Sequence, residues 1–99
     1  MEQRRTRRFK LQLPLSITRS GAERVTSAGL TRNISSSGVL FTTEREPDLG
    51  VPIEYIITLH DGPQTVNLRC IGKVLRAERM DAAYQIAATL ERYEFVREH

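Results

Sequence analysis

The sequence predicts an all-β fold, either a small antiparallel barrel or a sandwich of about six strands. Apolar residues alternate with polar ones in several short runs, which is the period of a strand with one buried face. Residues that favour turns separate these runs at regular intervals. The chain has 99 residues, so we expect a single domain with one modest core.

The first two strands are predicted over residues 11–18 and 24–34. Every second residue of the first run is apolar, and the second run is rich in Val, Thr and Leu. Pro14 has no amide to donate, so we expect the first strand to lie at an edge or to turn this position outward. Ser20-Gly21 predicts the turn that joins the two strands.

Three further strands are predicted over residues 39–43, 53–59 and 66–74. A break at residues 47–50 precedes the second of them, and Asp-Gly-Pro at residues 61–63 predicts a hairpin before the third. The third run contains the one cysteine of the chain, which excludes an intramolecular disulfide and which we expect to be a buried apolar residue. A glycine two residues later, Gly72, predicts a bulge or a corner.

A sixth strand is predicted over residues 84–88, and the chain then changes character. Over residues 90–99 apolar side chains recur at helical spacing, which predicts a short helix packed on the sheet. An extended tail is the alternative. The expected organisation is therefore one domain over 1–99, with an arm at 1–10, a sheet at 11–89 and a helix or tail at 90–99.

Positive charge is concentrated at the start of the chain. The formal net charge is +3, yet residues 4–10 hold five cations and no carboxylate. We expect this segment to be a flexible arm, and its compact charge fits a small anion better than a long polyanion. Guanidinium groups pair with phosphate and stack on flat rings, so Arg4 and Arg8 can touch different parts of one ligand. A merely solvated or weakly nucleic-acid-binding terminus is the alternative.

Residues 33–38, Asn-Ile-Ser-Ser-Ser-Gly, form the second candidate motif. Asn and Ser side chains fold back on nearby backbone amides, and Gly38 permits a positive φ or a close approach to the main chain. Successive amides in such a turn can form an anion-binding concavity. Taken by itself, this composition is also that of an ordinary β-turn.

Together, the two motifs resemble those of the PilZ domain family. Arg4 to Arg8 matches its Arg-x-x-x-Arg element, with Phe9 following as in that family. Asn33 to Gly38 matches its Asp/Asn-x-Ser-x-x-Gly element without a gap, with Asn in place of the commoner Asp. Residues 84–86, Tyr-Gln-Ile, depart from the family, where a glycine is common. The resemblance covers nearly all of the chain.

The resemblance implies a bacterial receptor module for cyclic di-GMP on a six-stranded antiparallel β-barrel. The resemblance implies that Arg4 and Arg8 contact the phosphates and guanines of the ligand, and that Arg5 is a further contact. The resemblance also places three residues of the turn along the face that holds a guanine edge and the ribose-phosphate, namely Asn33, Ser35 and Gly38. Family members that lack one motif act as protein-interaction modules without nucleotide, and this is the alternative function.

Catalysis has little support in the sequence. The two histidines, His60 and His99, lie far apart and neither has a metal-ligand spacing, and no nucleophile has an evident base. We therefore expect a non-enzyme without a cofactor, whose partners are cyclic di-GMP and an unidentified downstream protein. No apolar run approaches the roughly 20 residues of a membrane span, so a cytoplasmic location is expected. We expect a monomer or a weak dimer, and no nucleic acid polymer as partner.

Overall fold

The computed structural model describes residues 12–98, which form seven β-strands and no helix. The side chains at positions 61, 97 and 98 fall outside that description. Every strand pair is antiparallel. The strands are β1 (Pro14–Ser20), β2 (Glu23–Ile34), β3 (Gly38–Thr43), β4 (Pro52–Asp61), β5 (Gln64–Met80), β6 (Ala83–Thr89) and β7 (Arg92–Glu98).

The strand pairings form a cycle with one strand outside it. The order in the sheet is β4-β1-β2-β3-β6-β5-β7, and β4 also pairs with β5. The path β1-β2-β3-β6-β5-β4 therefore returns to β1, and β7 lies beside β5 outside this path. The all-β prediction is confirmed, and the sheet has seven strands where six were predicted.

The prediction of a helix or tail over residues 90–99 is wrong, because most of this segment is β7. Its residues from Arg92 to Glu98 lie opposite Ile71 to Thr65 of β5. An isolated helix of about ten residues is marginal, whereas the exposed edge of β5 offers partners for the backbone. The apolar residues Tyr93, Phe95 and Val96 also have high β-propensity. The sequence analysis weighed a helix against an extended tail, and pairing with a distant strand made the segment a strand instead.

The core lies on the inward faces of the paired strands, as the alternation predicted. Phe41 and Tyr55 are its largest fully buried side chains, with ring centroids 5.9 Å apart. Other predicted inward positions, such as Leu15 and Ile17 of β1, are also buried. The remaining buried apolar residues come from β3, β4, β5 and β6: Val39, Ile53, Ile57, Cys70, Val74, Ile86 and Ala88.

Gly72 allows the backbones of β5 and β6 to come into contact. The bulge of β5 lies elsewhere. A Cβ at this position would overlap the carbonyl oxygen of Thr89, where β6 ends. The irregularity in β5 falls after it, between Val74 and Arg76. Thr89 stabilises this contact between β5 and β6, which we call the crossing. Its carbonyl accepts from the hydroxyl of Tyr55 at 3.0 Å, and its Oγ1 accepts from the amide of Lys73 at 2.8 Å.

Burial raises the pKa of the Cys70 thiol to about 12, because the thiolate would lack solvation there. The pKa of Tyr55 is also raised, mainly by burial and then by the nearby Cys70 and Glu91. Cys70 is fully buried among core residues. This confirms the expectation that it behaves as a small apolar residue.

Alkaline solution is therefore expected to destabilise the fold. The thiol of Cys70 loses its proton near pH 9.0 in the unfolded chain and near pH 12 in the folded one. Its stabilising contribution to the free energy of unfolding is therefore complete below pH 9 and is lost as the pH rises towards 12. Cys70→Ala should lower the free energy of unfolding at neutral pH, because it leaves a cavity. Above pH 9, however, the free energy of unfolding of this variant should fall less steeply with pH. Urea unfolding at a series of pH values measures both. Parallel curves for the two proteins above pH 9 would contradict the assignment.

Candidate functional site

The turn between β2 and β3 is organised by the side chain of Ser35. The amide of Ser35 donates to the carbonyl of Gly38 at 2.9 Å. Its Oγ accepts from the amides of Ser37 and Gly38 at 3.3 Å and 3.2 Å, and lies 3.2 Å from the Gly38 carbonyl. A serine that bonds two successive amides is a local side-chain-to-backbone motif, which fixes the turn. Ser35 therefore provides rigidity here.

Gly38 is required by packing rather than by a left-handed backbone. It starts β3 opposite Thr89, and the positive-φ glycines of residues 12–98 lie elsewhere. A Cβ at Gly38 would come within 2.9 Å of the Ala88 carbonyl oxygen, closer than real Cβ atoms approach. Glycine thus allows β3 and β6 to close beside the turn.

Three of the residues predicted from the sequence meet at one open cavity of about 250 Å³. Asn33, Ser35 and Gly38 line one side of it, and residues of β5 and β6 line the other. Asn33 is half-buried, and a register shift between Thr31 and Asn33 sets its position opposite Leu40. The cavity presents amide, hydroxyl and backbone groups to an incoming molecule, a combination that suits hydrogen bonding to a polar ligand.

Two residues of β5 that the sequence analysis did not single out also line this cavity, Leu75 and Arg76. Val74 pairs with Ala88 and Arg76 with Ala87, so Leu75 is an extra residue in the ladder. A bulge of this kind re-aims side chains, and here two consecutive ones are exposed, Leu75 with 65% of its surface. The adjacent apolar pair Val74-Leu75 breaks the alternation of the strand. The pair Cys70-Ile71 of the same strand breaks the alternation without a register shift, so this pattern alone does not predict the bulge.

Arg76 gives the cavity its positive charge. It is the charged residue among those that line the cavity within residues 12–98. A guanidinium beside hydroxyl and amide groups favours an anionic or ring-bearing ligand. The positive charge of the cavity thus agrees with the anionic ligand that the sequence of the turn predicts.

The start of the described chain is tied to β2 close to the turn. The amide of Leu13 donates to Oγ1 of Thr31 at 2.9 Å, and the amide of Thr31 donates to the carbonyl of Leu13 at 2.9 Å. Thr31 is fully buried, and it lies two residues before Asn33. Leu13, which follows the predicted arm in the sequence, is therefore fixed beside β2 two residues from Asn33. Arg4, Arg5 and Arg8 belong to that segment and lie outside the described residues.

Within residues 12–98, no group of three or more His, Cys, Asp or Glu side chains is placed to hold a metal ion. The same residues contain no helix long and apolar enough to cross a membrane.

Fold and site together define a small all-β domain with a cavity of mixed polar and apolar lining beside a hairpin turn. A model of the PilZ domain family matches residues 2–95, so the chain belongs to the PilZ domain family. This is a family of cyclic di-GMP receptor and signalling modules, which act by binding and are not enzymes.

A solved structure supports the fold. The structure of Bacillus subtilis inhibitor of motility (MotI/DgrA) is similar with a TM-score of 0.73 at 17% sequence identity. The similarity covers 95% of this chain and 45% of that one, so the chain spans less than half the length of that protein. A likeness at this identity concerns the fold alone. No curated protein matches the chain.

Thr31→Val is expected to loosen the attachment of Leu13, because the Leu13 amide loses its hydroxyl acceptor. The free energy of unfolding should fall by about 0.5–1.5 kcal/mol, the net value of one hydrogen bond, since this one is partly buried. Amide hydrogen exchange at Leu13 should become faster. Thr26→Val, at an exposed position of the same strand, is the control and should stay within about 0.5 kcal/mol of the wild type. Unchanged protection of Leu13 in Thr31→Val would contradict this role.

Proposed function

We propose that the chain is a bacterial cyclic di-GMP receptor in which the arginine arm closes a ligand against the β2–β3 turn. The observation that carries this proposal is the meeting of Asn33, Ser35 and Gly38 at one cavity, beside the point where Leu13 is tied to β2. The turn is rigid and the arm carries the charge, so one part positions the ligand and the other captures it.

The size of the cavity supports a site that the arm completes. Its volume of about 250 Å³ is below the roughly 300–1,000 Å³ of sites that enclose a small molecule. Arg8 precedes Leu13 by five residues, a segment that spans at most about 18 Å when extended. Arg4 reaches further by four residues. In this proposal both arginines reach the cavity from the anchor at Leu13.

Each motif has a role in this proposal. Arg4 and Arg8 contact the phosphates and guanines, with Arg5 as a further contact. Asn33 meets a guanine edge or ribose-phosphate with its amide group. Ser35 acts mainly by holding the turn, since its hydroxyl already bonds two amides of the turn. Gly38 keeps this side of the cavity free of a side chain.

A free-energy comparison indicates that the arginines cannot act alone. Ordering five residues of the arm costs on the order of 5–10 kcal/mol, and a micromolar complex must still net about 8 kcal/mol. Three or four charge-assisted contacts give about 1.5–3 kcal/mol each. Burial of guanine, or stacking between two copies of the ligand, must supply the remainder. Binding should therefore be sensitive to the loss of one arginine.

Ordering of the arm would change the surface that a downstream protein meets. The turn is linked to the end of β6, because the amide of Leu90 donates to the carbonyl of Ser37 at 3.0 Å. A ligand that moves Ser37 can thereby shift the chain where it passes into β7. In this proposal the protein is a cytoplasmic binding module without catalytic activity, and the six-strand cycle corresponds to the barrel expected for the family.

Calorimetric titration with cyclic di-GMP is the test of the function. We expect saturable binding by the wild type, little response to GTP, and at least about tenfold weaker binding by Arg8→Ala, as for one lost charge-assisted contact. Arg24→Ala is the matched control, because Arg24 is exposed at the opposite end of β2 from the turn. It should bind as the wild type does.

Absence of binding across the accessible range would reject the receptor and favour the alternative, a protein-interaction module on the same fold. Equal loss in Arg8→Ala and Arg24→Ala would reject the arm clamp in particular. A steep dependence of affinity on salt, with binding to single-stranded DNA as well, would indicate a polyanion as the ligand.

Arg76 is expected to add to ligand affinity, because it lines the same cavity from β5. Arg76→Ala should weaken cyclic di-GMP binding by about tenfold, the value of one charge-assisted contact near the surface. Arg79→Ala, at an exposed position of the same strand that does not line the cavity, is the control. Equal affinities for the two variants would remove Arg76 from the site.

A further inference from the structure

β7 is an edge strand. Within residues 12–98 its one strand neighbour is β5, whereas the other six strands each pair with two or more strands. The outer edge of β7 therefore presents backbone donors and acceptors along seven residues, Arg92–Glu98. Such an edge is a template for another extended strand.

The same strand exposes apolar side chains. Tyr93 and Phe95 lie opposite Cys70 and Leu68 of β5, so they share the face of the sheet that carries the core. They are nevertheless 61% and 63% exposed, and their rings meet edge to face with centroids 6.1 Å apart. The core face thus continues onto β7 without a layer to cover it among the described residues. Aromatic surface beside a free edge is characteristic of an interface.

We propose that β7 pairs with β7 of a second copy of this chain, antiparallel about a two-fold axis, so that two sheets join at their edges. The occupant is inferred from the charge pattern of the strand. This dimer forms without nucleotide, and it goes beyond the proposed receptor function.

One register of the pair is self-complementary. A two-fold axis normal to the sheet keeps like faces together, so each odd position meets an odd one and each even position an even one. With Phe95 on the axis, all seven residues of the strand overlap. Arg92 of each copy then comes opposite Glu98 of the other, and the Tyr93 position comes opposite Arg97. Positions of opposite charge are therefore paired at both ends, and the two Phe95 positions are paired at the centre.

Neighbouring registers bring like charges together. With Glu94 on the axis, this carboxylate faces its own copy. With Val96 on the axis, Glu94 faces Glu98 twice. Like charges directly opposite each other destabilise a strand pair. Axes further along the strand shorten the overlap, so the register centred on Phe95 is favoured.

The charges of β7 do not act as protection against pairing. Exposed edges are commonly protected by charges that repel a second copy, yet this strand holds two arginines and two glutamates in an order that attracts one. Glu94, which comes opposite Val96 in the favoured register, already has a partner in its own chain. Its Oε1 lies 2.6 Å from Nη2 of Arg69.

A charge exchange tests the register. Arg92→Glu alone places Glu opposite Glu98, and Glu98→Arg alone places Arg opposite Arg92, so each variant should dimerise about tenfold more weakly than the wild type. Mixing the two variants restores both opposite-charge pairs in the heterodimer. The double variant Arg92→Glu/Glu98→Arg restores them in a homodimer. Arg79→Glu changes the net charge by the same amount on β5 away from β7, and it should leave dimerisation unchanged.

Sedimentation velocity of the full chain, from micromolar to millimolar concentration and without nucleotide, is the measurement. We expect a concentration-dependent dimer for the wild type, the double variant and the mixture, and mostly monomer for each single variant. Circular dichroism and the Tm establish that each variant is folded. A monomeric wild type at millimolar concentration would overturn the proposal, and so would a dimer that neither single variant weakens or that mixing does not restore. Failure of cyclic di-GMP titration leaves these outcomes unaffected.

Discussion

The contact between the Thr89 carbonyl and the backbone of Gly72 determines which strands pair with each part of β5. Because a side chain at Gly72 would overlap that carbonyl, the end of β6 can lie directly against β5 at this point. Before it, β5 pairs with β4 and β7, and beyond it β5 pairs with β6. One strand thereby closes the cycle of six strands and also supports a seventh. The free edge of β7 is a consequence of the same arrangement.

The candidate site depends on this arrangement as well. The bulge at Leu75 follows the crossing directly, and it brings Leu75 and Arg76 to the cavity that the β2–β3 turn lines from the other side. The buried Thr31 ties Leu13 to the same region by two hydrogen bonds. Residues that lie far apart in the sequence therefore meet through pairing and packing, and no long loop is needed to bring them together.

The sequence predicted those features that depend on local pattern, and it failed where distant pairing decided. Alternation identified the inward residues, such as Ile17 and Tyr55, because their burial follows from the period of a strand. Over residues 90–99 the helical spacing was misleading, because the available edge of β5 selected a strand. Arg76 was missed because its position at the cavity results from a bulge and from the approach of β6, and neither can be derived from one strand. The turn at Asn33 to Gly38 was found because its chemistry is local. The residues of β5 and β6 that line the cavity with it are not determined by local sequence.

The turn and the free edge share one short segment of chain, and this has a thermodynamic consequence. Leu90 donates to Ser37 in the turn, Glu91 donates to the carbonyl of Ile71, and β7 begins at the next residue. Any ligand that displaces Ser37 therefore acts on a segment whose position also sets the start of β7. If ligand binding changes the affinity of β7 for a second copy by some factor, dimerisation must change the affinity for the ligand by the same factor, because coupling between two binding sites is reciprocal. Ser35 binds the amides of Ser37 and Gly38, and the Ser37 carbonyl accepts from Leu90, so hydrogen bonds connect the turn directly to the segment that precedes β7.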